Sequence, residues 1–408
     1  MTPLPTDLLG YRDELLSGAE HAKLDELRAF LEAEARPHLA SWWERAHSPV
    51  ELRPGLAALR LEDDPSLLGS PHSRAPEPAL SPYYVGFKHF EFQRFDASIA
   101  TLYGGNVGMF RTVLRGGASP EQLASLEPGI LSFETTGCFA LTEPDHGSDV
   151  ARGMETTAER HGHGEGATWT IRGRKRWIGN ASVSDLILVI ARDAGDGEAR
   201  AFLVPRTAPG VEITDIPGKI ALRMVRNGDI VLRDVRVPES SRLPGITHFA
   251  DIARILGDLR FVVAWNAAGM QAGAYEAAVR HATEREQFGR PIGGFQLVQE
   301  QLARMLGNVT ATLALAARIT ELRLRDEFTG EIASLAKAFA AARLRETVAL
   351  GRGIGGGDGL LVKNDLGRYF ADAEAVYTYE GTHEMNSLIV GRAATGLSAF
   401  TPRSSPAG

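Results

Sequence analysis

Apolar positions along this chain change period twice. Up to about residue 133 they recur every three or four residues. In "HAKLDELRAFLEAEARPHLASWW", Leu24, Leu27, Leu31 and Ala35 share one helical face. "GFKHFEFQRFDASIATLY" continues the helical pattern. "SPEQ" (Ser119 to Gln122) predicts a fresh helix start, with Ser at the N-cap, Pro at the first position and Gln at the third. The Pro- and Ser-rich stretch Asp64 to Pro82 predicts a loop between these helices.

From about 134 to 242 the pattern is different. "METTAER", "TWTIRGRKRWIG", "DLILVIAR", "ARAFLVPR", "GVEITDI" and "GDIVLRDVRVP" are short β-branched runs. Gly, Asp, Asn and Pro separate them, at the spacing of a sandwich or barrel. Helical spacing then returns in long segments. "QLVQEQLARMLGNVTATLALAARITELRLRDEF" carries a Leu302, Met305, Leu306, Val309, Leu313 stripe. "LRFVVAWNAAGMQAGAYEAAVRHATERE", "EIASLAKAFAAARLRETVAL", "NDLGRYFADAEAVY" and "HEMNSLIVGRAAT" add four more helices, which predicts a bundle. The expected fold is multi-domain α+β: an N-terminal α-helical domain (1–133), a middle β-domain (134–242), a C-terminal helical bundle (243–400) and a tail (401–408).

Composition narrows the class. With 44% hydrophobic and 23% charged residues among 408, the chain reads as a soluble globular protein. A net charge of −7 with scattered basic residues argues against a nucleic-acid binder. No apolar run approaches the roughly 18 residues of a membrane helix. One cysteine, Cys138, allows no intramolecular disulfide. The N-terminus shows no secretory pattern, and the expected compartment is the cytoplasm.

Six segments invite chemical readings. "GRGIGGGDG" contains GxGxxG at Gly351, Gly353 and Gly356, but it follows a helical pattern rather than a strand, which disfavours a dinucleotide fold. It reads either as a glycine-terminated helix or as backbone open to a large ligand. "CFALTEPDHGSD" places Thr142, Gly147 and Ser148 in a donor-rich loop. That loop is either self-capped or able to hold a polar ring edge or phosphate. Cys138 reads as a small buried residue. Trp177 in "KRWIGN" is either core or one wall of a flat site. In "REQFGRPIGGFQ", Arg285 suits a helix C-terminus or phosphate oxygens. In "VYTYEGTHEMNSLIVGRAATG", Glu380 is an unusual turn residue, either a solvated charge or a base held at a pocket. "HGHGEG" (His161 to Gly166) reads as an exposed hairpin turn rather than a metal site.

In this order, "ALTEPDHGSD", "KRWIGN", "REQFGRPIGGFQ", "GGGDG" and "YEGTHEMNSLIVGRAATG" together resemble the acyl-CoA dehydrogenase family of flavoproteins, from the Trp42–Trp43 region to about Gly396. "KIALRMVRNGDIVL", "VRVP" and "RLPG" are most similar to the glutaryl-CoA dehydrogenase and plant short-chain acyl-CoA oxidase branch. The resemblance implies FAD between the β-domain and the bundle of a homotetramer. Its acceptor would be an electron-transfer flavoprotein and its substrate a thioester of CoA or of acyl carrier protein. It implies that Phe139, Leu141, Thr142 and Trp177 line the flavin ring, with Gly179 beside it. Arg285, Phe288 and Gln296 would meet the diphosphate and adenosine of FAD held mainly by another subunit, and Gly356 and Gly357 would allow its close approach. Thr382 and Glu384 would help seat FAD. Ser148, Arg260 and Gly381 fall at substrate positions, and Glu380 at that of the base that removes the thioester α-proton while the β-hydride goes to flavin. The backbone N–H of the base, with a ribityl hydroxyl of FAD, would bind the thioester oxygen.

Three positions depart from the family pattern. Gly179 stands where many members carry Thr near flavin N5, which keeps an O2-using oxidase as the alternative. Gly353 stands where an acidic residue or Gln is common. Ala100 stands where glutaryl-CoA enzymes place Arg, which points away from glutaryl-CoA. The expected function is α,β-desaturation of a short or branched acyl thioester. A non-catalytic, repair-associated homologue is disfavoured by the retained Glu380.

Overall fold

The computed structural model describes residues 4–68 and 79–399. Most of the Pro-rich stretch and the tail 401–408 lie outside the described residues. The order is helices, then a sheet, then helices. The longer N-terminal helices are α1 (Gly18–Phe30), α2 (Pro82–Phe95), α3 (Ala97–Tyr103), α4 (Arg111–Gly117) and α5 (Pro120–Leu131). Leu24, Leu27, Leu31 and Ala35 are all buried, as their spacing predicts. The Ser119 capping box is present: Gln122 N donates to Ser119 Oγ (3.2 Å) and Ser119 N to Gln122 Oε1 (2.9 Å). Gln122 Nε2 also donates to Ser240 O (2.7 Å), which fastens α5 to the end of the sheet region.

The sheet has seven strands: β1 (Gly137–Ala140), β2 (Thr157–His161), β3 (Thr168–Ile178), β4 (Leu186–Asp193), β5 (Ala199–Pro205), β6 (Val211–Asp215) and β7 (Gly228–Pro238). β1 and β2 both pair parallel with β4, at successive stretches, while β5 runs antiparallel to it. β3, β7 and β6 continue antiparallel beyond β2. The parallel pairs are a feature the run spacing did not predict. They arise because the chain leaves the sheet after β1 and re-enters at β2. Trp169 on β3 and Phe202 on β5 meet with ring centroids 5.2 Å apart. Three strand positions would put them about 14 Å apart in a flat sheet, so the sheet curls around its own core. β4 is buried on both faces. Ile187, Val189 and Ala191 face the sheet core, and Leu188 and Ile190 face the N-terminal helices.

The bundle contains α6 (Phe249–Leu259), α7 (Phe261–Glu284), α8 (Gln296–Leu324), α9 (Gly330–Ile354), α10 (Asp365–Thr378) and α11 (His383–Thr395). α7 is buried almost all round, packed by α2, α8, α9 and α10. Its glycines make that crossing possible: a Cβ at Gly269 would lie 2.2 Å from Phe90 O, and one at Gly273 2.2 Å from Arg94 O. The GxGxxG closes α9, with Gly351 and Gly353 in its last turn and Gly356 just past it, so it is a helix terminus and not a dinucleotide fingerprint. No helix among the described residues is long and apolar enough to cross a membrane.

Candidate active site

Three groups of the candidate residues emerge. The first lies at one end of the sheet. Odd-numbered side chains of β3 point inward: Trp169, Ile171 and Lys175 are buried. A register shift between Lys175 and Ile178 then reverses the parity. Trp177, at φ 63°, is turned outward with 52% of its surface exposed. It is therefore not a core tryptophan. Arg176 lies 5.4 Å from the centre of its ring. The loop after β1 is fastened beside it. Thr142 O accepts from Arg176 N (2.9 Å), and Leu141 O accepts from Lys175 Nζ (3.0 Å). Phe139 is half-buried on β1, and Ser148 is exposed further along the loop. Gly179 is uncrowded, since a Cβ there would meet nothing nearer than 3.9 Å. Cys138 is buried and its thiol pushed up to about 12, so it is no nucleophile.

The second group surrounds the turn between α10 and α11. Glu380 adopts φ 56° and Gly381 φ 82°. The left-handed region costs a non-glycine residue roughly 1–2 kcal/mol, so the turn must be held. Lys337 Nζ donates to Tyr377 O (2.8 Å) and Gly381 O (2.6 Å), and Asn386 Nδ2 to Gly381 O (2.9 Å) and Thr382 O (3.0 Å). Asn266, on α7, pairs with His89 Nδ1 (3.1 Å). Thr382 caps α11, accepting from Met385 N (3.3 Å), with Glu384 exposed in the first turn. Burial pushes the Glu380 carboxyl up, and the charges of Arg260 and Lys337 pull it back. The Glu380 backbone N–H has no acceptor among the described residues.

These two groups are joined by the segment 219–227. Asn227 Nδ2 donates to Trp177 O (3.3 Å), and Leu222 N donates to Asp372 Oδ1 (2.6 Å) on α10, the helix that leads into Glu380. Lys219 Nζ ties the segment to itself through Leu222 O (2.7 Å), Val225 O (2.7 Å) and Asn227 Oδ1 (2.5 Å).

The third group lies at the other end of the bundle. Arg260 and Arg285 flank the 24 residues of α7, a separation of about 36 Å along a helix. Arg285 and Phe288 belong to a hairpin there, Gln296 begins α8 beyond it, and all three are exposed. Phe288 is 95% exposed, at φ 53°, and touches Phe295 edge to face. Gly356 and Gly357 sit past the end of α9, near the C-terminal end of α7, and a Cβ on either would meet nothing within 4 Å. One chain thus does not gather these five residues around Glu380.

The sequence reading does not single out Lys337, Asn386, Asn266, Lys175 or Glu143. The signal was there for both lysines: Lys337 lies on the Ala333, Ala336, Ala340 and Leu344 face of α9, and Lys175 at an inward position of β3.

Comparison with known proteins fits this architecture. The family profile of the acyl-CoA dehydrogenase middle domain matches residues 138–235, and that of the C-terminal domain residues 249–395. A probable acyl-CoA dehydrogenase, YngJ, of Bacillus subtilis (strain 168) is 32% identical over 282 residues, 68% of this chain and 72% of that one. A crystal structure of glutaryl-CoA dehydrogenase from Mycobacterium smegmatis superposes with a TM-score of 0.87 at 35% identity, covering 98% of this chain and 100% of that one. A second, of a glutaryl-CoA dehydrogenase from the same organism in complex with FADH2, gives 0.88 at 29% identity with the same coverage. These matches define the class, a redox enzyme acting on CH–CH bonds. The chain belongs to the acyl-CoA dehydrogenase family.

Proposed function

We propose that the chain is an FAD-dependent acyl-CoA dehydrogenase that desaturates a short or branched acyl thioester at Cα–Cβ, with Glu380 as the base. The observation that carries this reading is the Glu380 turn. One residue presents a carboxylate pushed up by burial and a backbone N–H with no acceptor among the described residues. A thioester carbonyl at that N–H would have its developing enolate charge stabilised while the carboxylate takes the α-proton. Arg260 and Lys337 oppose the burial and keep the base from being protonated too readily.

The residues present fit a flavin. Trp177 offers an outward-facing ring beside a loop whose backbone is pinned at Leu141 and Thr142, and Gly356 and Gly357 leave backbone open to close approach. FAD, when bound, accepts the β-hydride. Phe139, Leu141, Thr142, Trp177 and Gly179 would flank its ring, and Thr382 and Glu384 would help seat it. The distance between the two ends of the bundle, with the exposure of Arg285, Phe288 and Gln296, supports a cofactor shared between subunits of a homotetramer. An electron-transfer flavoprotein is the proposed acceptor.

A cleft of about 1000 Å3 adds a finer reading of the substrate. Its walls include Leu259, Phe261 and Val262, which flank Arg260, and Gly104 and Val107 of the segment after α3. Its floor carries charge: Glu62 pairs with Lys88, accepts from Tyr103 Oη (2.9 Å) and lies 3.5 Å from Arg111. A plain alkyl end would lie against these groups without offering them a hydrogen bond. The acyl group we favour therefore ends in a polar substituent. Gly179 keeps the oxidase as second reading, because it brings no side chain to the position where many family members carry Thr near flavin N5.

Anaerobic bleaching of the yellow holoprotein by a panel of acyl-CoAs tests desaturation. Bleaching by none of them would remove both the dehydrogenase and the oxidase reading, and peroxide release in air without another acceptor would favour the oxidase.

A further inference from the structure

Lys337 occupies an otherwise apolar face of α9, 2% exposed, among Ala333, Ala336, Ala340 and Leu344. An ammonium in that position carries a desolvation cost, and burial lowers it to about 8. Its two hydrogen bonds explain its presence. Tyr377 O and Gly381 O lie on opposite sides of Glu380 in the sequence, and one Nζ holds both, at 2.8 and 2.6 Å. Tyr377 O is a terminal carbonyl of α10, whose i+4 partner would be Gly381 N had the helix continued. The lysine therefore closes the turn that a left-handed Glu380 would otherwise leave loose. Asn386 braces the same turn from α11 but does not reach Tyr377.

We propose that Lys337 is the positioning residue for the base: by clamping the carbonyls on both sides of Glu380, it fixes where the carboxylate and the Glu380 amide point. This rests on the reading of Glu380 as base. A charge effect accompanies the clamp. The cations acting on Glu380 are Arg260, at the α6–α7 junction, and Lys337, on α9; its neighbour Tyr379 shares its environment. Lys337 in turn faces Glu380 and Glu384. Removing its charge makes the Glu380 carboxylate harder to form, so the acid limb of the rate profile moves to higher pH.

The test compares wild-type holoprotein with Lys337→Met, Lys337→Arg and Glu380→Gln. In Lys337→Met, amide hydrogen exchange in the segment 378–386 should quicken about tenfold while α9 and the body of α10 keep their protection. Saturating bleaching by an acyl-CoA active on the wild type should slow about a hundredfold, with half-saturation little changed. The acid limb should shift upward. Lys337→Arg should recover much of the rate and protection. Wild-type exchange and bleaching in Lys337→Met would overturn the proposal. So would a uniform rise in exchange across α9 and α10, or a rate loss that Arg does not relieve, since either marks an ordinary core residue. If no acyl-CoA bleaches the wild type, the reading of Glu380 as base fails, while the exchange comparison still decides whether Lys337 holds the turn.

Discussion

Lys175 and Glu143 form an ion pair sealed from solvent, with Nζ 2.8 Å from Oε1. Glu143 also accepts from Glu155 N (2.6 Å) and Thr156 N (3.0 Å), so the pair binds both ends of the loop 141–156 to the strand that carries Trp177. Burial pushes the lysine down to about 8. Burial also acts to raise Glu143, but Lys175 and the amides outweigh it and hold the carboxyl below its usual range.

Breaking this pair should loosen the flavin side of the site. Lys175→Met leaves Glu143 buried without its cation, a loss of about 3–5 kcal/mol. The expected result is a lower Tm and faster release of fluorescent free flavin on dilution. The double variant Lys175→Met with Glu143→Leu should recover most of the stability, because both charges leave together. Unchanged flavin retention in Lys175→Met would show that the loop does not depend on the pair.

Glu380→Gln should separate catalysis from folding. Bleaching should slow about 10²- to 10⁴-fold, the usual worth of a general base, with FAD retained. Stability should move the other way. Burial raises the folded-state carboxyl above its unfolded value of 4.5. The folded wild type then binds its proton more tightly and loses stability as pH rises from 4.5 through the folded value. Gln carries no such penalty. The variant should melt above wild type at neutral pH, and the gap should close below about pH 4.5. Melting curves across pH 4–8 check this, and a gap independent of pH would contradict the burial argument.

How far the sequence disclosed all this depends on periodicity. Leu24 to Ala35, the Ser119 box and the Leu302 to Leu313 stripe follow local rules and were legible. The outward turn of Trp177 was not, because alternation along β3 puts residue 177 inside and only the bulge, a pairing irregularity with β7, reverses it. The parallel pairing of β1 and β2 with β4 is likewise a long-range choice. α6 was not separated as an element, since its helical pattern runs nearly into α7. In the site, Glu380 stands out locally as an unusual turn residue, and only the resemblance favours the base over a solvated charge. The partners that shape it, Lys337 and Arg260, approach from α9 and the α6–α7 junction, and no local pattern announces such a meeting.

Gly179 offers a test of oxygen reactivity with little structural disturbance. A side chain there would first meet Asn227 Nδ2 and Val225 Cγ1, both at 3.9 Å, and the backbone is not left-handed. Gly179→Thr should fold with a stability change within about 1 kcal/mol. If the missing side chain is what admits O2, peroxide release during turnover should fall about tenfold or more, the scale of one filled contact of roughly 1–3 kcal/mol. Anaerobic bleaching should change far less. Equal losses in both assays would mean that the side chain disturbs the site rather than closing a path.

The charged floor of the cleft predicts a preference among acyl groups. Lys88 and Glu62 are almost completely enclosed, and Arg111 joins Glu62 to Glu127, 2.7 Å away. An acyl chain with a terminal hydroxyl or carboxylate can exchange hydrogen bonds with this network, whereas an alkyl chain of equal length can only cover it. Bleaching by the polar-ended thioester should therefore exceed that by its alkyl counterpart about tenfold in kcat/KM. Replacing the pair by Lys88→Met with Glu62→Leu removes these two charges together and leaves Arg111 paired with Glu127. That variant should reverse the order. If the alkyl thioester already leads in the wild type, or if the double variant leaves the ratio untouched, the ion cluster is a strut between α2 and its neighbours and the acyl end lies elsewhere.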